Sequence, residues 1–502
     1  MNFFIRNVLM LHILLLVIGF SWIHGGTRPD LLMPVIPWLT VLVLEYLLVF
    51  PQAKSSETWV EARRRVWRSL VRDPLLYLGL LLTVLLVIPF FNVAGEPQFN
   101  VQTKEWRIPS PPYPGLPFCV NPDEHAVLLL WYVPALIAVL AARRGLLKRG
   151  KRLLLHALCW NAAALALLGF AQMITGATSV YWGAETFSHF FSTFGYPNFA
   201  GAFFTLHFAL ATGLWFSRAS GERLGPAAAG VTWPEDDSVS SPHWLLIPVL
   251  LNLVAAIASL SRAAILLCGV VFLVLSIYML VGIWQKSESG GHVKLVGIIF
   301  GVLLLVVLSF TIFAPKALKT ELATITPSAV FERVSGRGQY HARVALEIFN
   351  EHRLFGVGGW GYPHFAIASM TPEERKAMQI QGGANVHNDT LQFLAEQGAV
   401  GFGLMVLCAL TLIVPLVVQS VRTTRALTST GLDAIPAKPV WLYHLPPEAV
   451  AVFVGTAATV CHSLGDLPFR SPAILTVWLL SFVCADGFLP AVRSSKARTS
   501  GE

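Results

Sequence analysis

Charge is scarce in this chain: 13% of its 502 residues are charged, against about a quarter in a soluble domain. With 55% of the residues hydrophobic, a soluble fold would run out of polar side chains to cover itself. The scarcity excludes a water-soluble globule and makes lipid the solvent for much of the chain. Cysteine is rarer still. Cys119, Cys159, Cys268, Cys408, Cys461 and Cys484 show no paired or metal-type spacing, and most stand in apolar runs. They read as small core residues, so no disulfide framework is expected. The glycine-rich stretch Gly356-Val357-Gly358-Gly359 lacks the Gly-Lys-Ser/Thr ending of a P-loop and reads as a tight turn. No Cys/His cluster or Asp-x-Asp pair argues for a metal, and the nearest approach, His387 with Asp389, has no further close ligands. No fixed-period repeat is present, and the only low-complexity stretch is the polar loop 219–242.

What is present is a series of apolar runs. A span needs ~20 mainly apolar residues. Such runs occur near 3–23, 31–51, 75–93, 125–142, 153–174, 197–217, 244–260, 263–284, 294–314, 399–420, 448–464 and 472–490. The chain therefore reads as an all-α, polytopic membrane protein of about twelve spans. The first run ends in Trp22, Ile23 and His24 without a small-residue cleavage site, so a retained anchor is expected rather than a removed signal peptide. The loop after the second run carries Lys54, Arg63, Arg64, Arg65, Arg68 and Arg72; the loop after the fourth carries Arg143, Arg144, Lys148, Arg149, Lys151 and Arg152. Basic loops stay in the cytoplasm, so both termini are expected inside. The net charge of +8 then reflects topology, and no nucleic-acid partner is implied.

On that orientation the chain divides into N-terminal spans (1–190), central spans (191–314), a large external segment (315–397) and C-terminal spans with a short cytoplasmic tail (398–502). Residues 94–124, rich in Pro and Gly, read as an irregular external loop, and 175–196 as an aromatic, polar one. Within 315–397 the stretch Gly338–His352 has near-helical apolar spacing, and the glycines after it break the helix.

Several polar residues stand where chemistry is possible. In HNDTLQFLAEQG, His387–Gly398, Asn388 or Asp389 caps a short helix and Gly398 ends it. His387 at a helix N-terminus tends to stay neutral and able to accept a proton; it reads either as a base or as a capping residue at the headgroups. Arg262 sits between two apolar runs in ASLSRAAILL, where an arginine either meets an anion or snorkels to the headgroups. Arg333, Arg337 and Arg343 lie close together on the external segment, and a guanidinium fork suits a phosphorylated lipid as well as an ordinary headgroup. FSTFGYPNFAG, 191–201, places a turn with Asn198 at the mouth of the sixth run. HSLGDLPFRSP, 462–472, carries His462, Asp466 and Arg470, the first two a pair four residues apart that orients a base, binds a metal or simply satisfies a loop. Glu45, His156, Asn161, Gln172 and Asn252 fall inside the runs and read as interhelical glue or as a relay.

Taken together these pieces resemble the O-antigen ligase family of bacterial envelope glycosyltransferases, with its relatives the O-antigen polymerases and protein O-oligosaccharyltransferases. The resemblance runs from about Phe191 to Pro472. It rests on the turn Thr193–Asn198, the pair Ser261-Arg262, the opening Ser335–Arg337, the stretch Gly356–Gly358, the start His387-Asn388 and the glycine Gly398 eleven residues after that histidine. The first 190 residues add only generic spans.

The resemblance implies transfer of a glycan from a polyprenyl (undecaprenyl) diphosphate carrier to an acceptor hydroxyl, on lipid A-core, a glycan or a protein, at the periplasmic face of the bacterial inner membrane. It implies His387 as the catalytic histidine and Arg262 and Arg337 on the diphosphate, with Arg333 and Arg343 competing for the second arginine role. Asn388, Asn198, His462 and Asp466 would support them. A neutral histidine suits a general base, and fixed arginines suit a diphosphate leaving group, so no metal or other cofactor is expected and the displacement would invert the anomeric centre. Polymerase, protein glycosylation, a transporter or lipid flippase using Glu45, and a structural partner in an envelope machine remain as alternatives.

Overall fold

The computed structural model describes residues 3–54, 56–102, 105–185, 189–219, 231–232, 242–286, 297, 300–301, 304, 337–369, 373, 376, 385–428, 445–489 and 491–492. Most of the expected run at 294–314, most of the loop 219–242 and Arg333 lie outside them. Eleven of the apolar runs fall on helices: Phe3–Trp22, Ile36–Val49, Pro74–Val87, Pro122–Leu140, Lys148–Ile174, Pro197–Ala219, Pro242–Ala258, Arg262–Lys286, Asp389–Thr428, Pro447–Ser463 and Pro472–Ala485. Six of the described helices are long and apolar enough to cross a membrane, and four more are apolar but shorter. The run at 31–51 is shortened for a local reason. Pro34 and Pro37 remove backbone donors, so a single turn at Pro29–Leu32 precedes the helix proper.

One helix, Pro197–Ala219, is the axle of the bundle. Every residue from Ala200 to Phe216 is buried, and Lys148–Ile174, Pro242–Ala258, Arg262–Lys286 and Pro447–Ser463 pack around it. Small residues let the backbones close: a Cβ on Gly213 would stand 2.5 Å from that of Ala451, and one on Gly455 2.8 Å from that of Ala209. The outer helices behave oppositely. Leu80, Leu81 and Val84, then Leu266, Val270, Leu273 and Ile277, are exposed, as side chains facing lipid must be. Asn161 acts as the expected glue: it accepts from the Trp22 indole at 2.8 Å and donates to the Ser21 hydroxyl at 3.1 Å. Glu45 is exposed. Of the six cysteines, all of them free, only Cys461 is exposed.

The connections gather at two ends. At one, Gln52 N–H donates to the Gly145 carbonyl (3.1 Å), buried Asp73 pairs with Arg143 (3.1 Å) and Arg144, and Lys151 pairs with Asp486 (2.6 Å). Both strongly basic loops therefore share one end with the close of the last helix. At the other end Thr193 donates to the Ser21 carbonyl (2.6 Å), Ser471 to that of Gly25 (2.7 Å) and Asn388 to that of Leu464 (3.0 Å). The segment 94–124 is not wholly irregular. Gln98–Asn100 pairs antiparallel with Glu105–Arg107, with Phe99 opposite Trp106, a cross-strand aromatic pair that stabilises so short a hairpin.

The helix Asp389–Thr428 is broken at Gly398 (φ 62°, ψ −173°). A break strands backbone groups, and the glycine turn supplies their partners. Val357 and Gly358 donate to the carbonyls of Ala395 (3.1 Å) and Glu396 (2.8 Å), while Ala399 and Val400 donate to those of Arg353 (2.8 Å) and Leu354 (3.0 Å). Irregular backbone near lipid is tolerated only when protein satisfies it in this way. A Cβ on Gly398 would lie 2.4 Å from the Leu354 backbone, at a φ that L side chains rarely adopt. Gly398→Ala is therefore expected to cost about 1–3 kcal/mol or more and to lower the unfolding temperature of the detergent-solubilised protein; an unchanged temperature would show that the turn does not need this geometry.

Candidate active site

Chain segments far apart in sequence meet beside the start of that broken helix. Asn388 caps it: its side-chain oxygen accepts from Leu391 N–H (3.1 Å) while its amide holds the Leu464 carbonyl. His387, immediately ahead, is left-handed (φ 53°), a conformation His tolerates better than most residues. Its side chain is 43% exposed, and its Nδ1 stands 3.7 Å from Oδ1 of Asp466, whose own side chain is only 5% exposed.

Asp466 is held by its surroundings rather than by its neighbour in sequence. Its carboxylate accepts from the Tyr196 hydroxyl (2.9 Å), the Asn198 amide and the Leu467 N–H (2.8 Å), and Asn198 also donates to the Tyr196 oxygen (2.9 Å). Its main-chain carbonyl receives Asp389 N–H at 3.2 Å, and Asp389 returns a carboxylate oxygen to Phe469 N–H at 2.9 Å. His462, four residues before Asp466, is buried at the end of Pro447–Ser463, and among the described residues its Nε2 has no hydrogen-bond partner. The carboxylate is thus engaged from the 191–201 turn and the His387 segment.

Behind this surface lies a buried polar network. Arg470, 3% exposed, is paired with fully buried Glu396 and stacks over the Trp360 ring at 4.4 Å. Glu396 also accepts from Gln392 (3.1 Å), whose amide oxygen takes Val386 N–H (3.0 Å) and so fixes the residue before His387. On the other flank, His341 of the helix Arg337–Glu351 meets the His387 ring edge-on, centroids 6.4 Å apart, and its Nδ1 shares a 3.0 Å hydrogen bond with the Tyr362 hydroxyl. Burial, with Glu396 nearby, pushes the Tyr362 phenol well above its ordinary pKa, so it stays a neutral partner for His341.

The arginines are placed less uniformly. Ser261 caps the helix that Arg262 begins: its hydroxyl accepts from Ala264 N–H at 3.3 Å. The turn packs on Gly201, where a Cβ would be 2.8 Å from that of Ser261, and Gly201 lies about one helical turn after Asn198. Arg337 opens its helix one turn before His341. Arg343 is exposed and paired with Glu347 at 2.7 Å. Among the described residues no three His, Cys, Asp or Glu side chains converge as a metal would need.

Local sequence patterns did not disclose Tyr196 as a partner, His341, Tyr362, Gln392 or Glu396. Glu396 had a signal of a kind: an acid inside an otherwise buried helical face, which demands a cation from elsewhere.

Apolar helices in this number, with a polar cluster at one end of the bundle, define a membrane protein. Residues 247–406 match the family model described as O-antigen ligase. Over that stretch the resemblance read from the sequence holds. No curated protein matches the chain. The matched stretch contains Arg262, Arg337, Arg343, His387 and Asn388, whereas Asn198, His462 and Asp466 lie outside it.

Proposed function

We propose that this protein is a bacterial inner-membrane glycosyltransferase that moves a glycan from an undecaprenyl diphosphate-type carrier to an acceptor hydroxyl at the periplasmic face, as an O-antigen ligase does. The observation that carries the reading is His387: it opens a helix within the matched stretch and has a buried carboxylate beside Nδ1. A carboxylate there favours the tautomer with the proton on Nδ1, leaving the Nε2 lone pair for an incoming hydroxyl. As the acceptor oxygen bonds to the anomeric carbon, its proton passes to Nε2 and the bond from that carbon to the diphosphate oxygen breaks. Charge accumulates on the departing diphosphate, and Arg262 and Arg337 are the cations assigned to it. Arg343 would first have to leave Glu347.

The two basic loops support the orientation. Asp73 and Gln52 tie them to one end, and basic loops favour the cytoplasm, which supports a reading with His387 and both assigned arginines at the opposite, periplasmic end and both termini inside. Energy then arrives in the carrier's own diphosphate bond.

The test is transfer by the purified protein from a defined polyprenyl-diphosphate sugar to lipid A-core, a glycan or a protein acceptor, with the new linkage read by NMR. Inversion at the anomeric carbon, unchanged by chelator, is expected. Retained configuration or loss of activity with chelator would overturn the mechanism, and transfer only to a second lipid-linked glycan would make the protein a polymerase.

A further inference from the structure

Between the second and third apolar runs lies the helix Trp59–Leu70, WVEARRRVWRSL, with Thr58 and Glu61 forming a reciprocal cap at its start. It is not a span: it has one acid and four arginines in twelve residues. Its inner face, Ala62, Val66 and Leu70, is buried against the bundle. Arg65 also turns inward, held by Glu57 (2.9 Å) and the Gln52 carbonyl (2.8 Å), and its hydrogen bond to Glu57 keeps that carboxyl below its ordinary pKa.

The outer face is unusual for a surface helix. Val60, Trp67 and Val71 are 56%, 62% and 42% exposed. At 100° per residue they form one apolar stripe, with Arg63 on one side of it and Arg64 and then Arg68 on the other. All three arginines are exposed. Water is a poor solvent for a tryptophan-centred stripe, and a hydrocarbon interior is a poor one for its arginine borders. The boundary between acyl chains and phosphate headgroups satisfies both at once. The chain continues directly into Pro74–Val87, whose exposed Leu80, Leu81 and Val84 face lipid, so the stripe joins a surface already in the bilayer.

We propose that Trp59–Leu70 lies flat in the membrane surface and binds anionic phospholipid, with Val60, Trp67 and Val71 entering the acyl boundary and Arg63, Arg64 and Arg68 taking the headgroup phosphates. The inference is independent of glycan transfer. It makes the helix a lipid-sensing collar on the end of the bundle opposite His387.

The experiment uses the whole protein. Phosphatidylglycerol is titrated onto it in detergent and bound lipid is counted by native mass spectrometry, for the wild type and for Arg63→Gln/Arg64→Gln/Arg68→Gln. About five-fold weaker binding per arginine is expected, the factor that ~1 kcal/mol per basic residue at an anionic surface implies. Because all three side chains are exposed, the unfolding temperature should not move, which separates lost binding from lost fold. In a second arm Val60→Cys, in a Cys461→Ser background, carries a fluorophore in nanodiscs; quenching by brominated acyl chains rather than by aqueous iodide is expected. Equal phosphatidylglycerol binding by the triple variant, or quenching by iodide alone, would overturn the proposal.

Discussion

His387→Ala lowers glycan transfer by a factor of about 10²–10⁴, the range a positioned general base contributes, while leaving the unfolding temperature near that of the wild type. The second half of the expectation follows from exposure: the side chain is nearly half open and its 3.7 Å approach to Asp466 is longer than a hydrogen bond. Asp466→Asn should fall between the two proteins. It keeps an oxygen for Tyr196 and Leu467 but loses the charge that selects the Nδ1–H tautomer. Product formation from a lipid-diphosphate donor, measured beside donor consumption, reads both. If the alanine variant transfers at the wild-type rate, the base lies elsewhere, and His341 is the next side chain to replace.

Glu396→Ala should be the most destabilising single change in the polar network, by about 3–5 kcal/mol. It leaves Arg470, 3% exposed, without the carboxylate it is paired with, and among the described residues its Nε and Nη1 have no hydrogen-bond partner. Arg470→Met alone should cost a similar amount by stranding the carboxylate. Replacing both, as Glu396→Leu/Arg470→Met, should recover most of the loss, because two apolar groups of similar size need no partners. Thermal unfolding of the three variants in one detergent decides the matter. A single variant as stable as the wild type would mean that the pair is solvated in the protein.

The two predictions draw on residues that differed in how visible they were beforehand. Hydropathy located eleven of the apolar helices, since lipid imposes length and apolarity on any span, but not the proline break within the run 31–51 nor the basic helix Trp59–Leu70. The helix start at His387-Asn388 was legible because capping chemistry is local, and so was the glycine turn. The interlock between Gly398 and Val357–Gly358 was not, because nothing in a glycine's neighbours says which backbone will approach it. Asp466 shows the limit most plainly. Spacing offered His462 as its companion, but the segment leaves its helix at Leu464, so the carboxylate meets Tyr196 and Asn198, some 270 residues earlier in the chain. Arg470 and Glu396 are likewise 74 apart, a separation that no periodic pattern encodes.

The exchanged hydrogen bonds at Gly398 also bear on how the protein is made. Four backbone groups of that break find their partners only in residues 353–358, and an unpartnered peptide group in hydrocarbon costs several kcal/mol. The helix beyond Gly398 therefore cannot settle in the bilayer as an independent unit, as a simple span can. The preceding segment is synthesised first and has to be waiting when this helix arrives. Biogenesis thus acquires an order, and His387 reaches its place only after that step is complete.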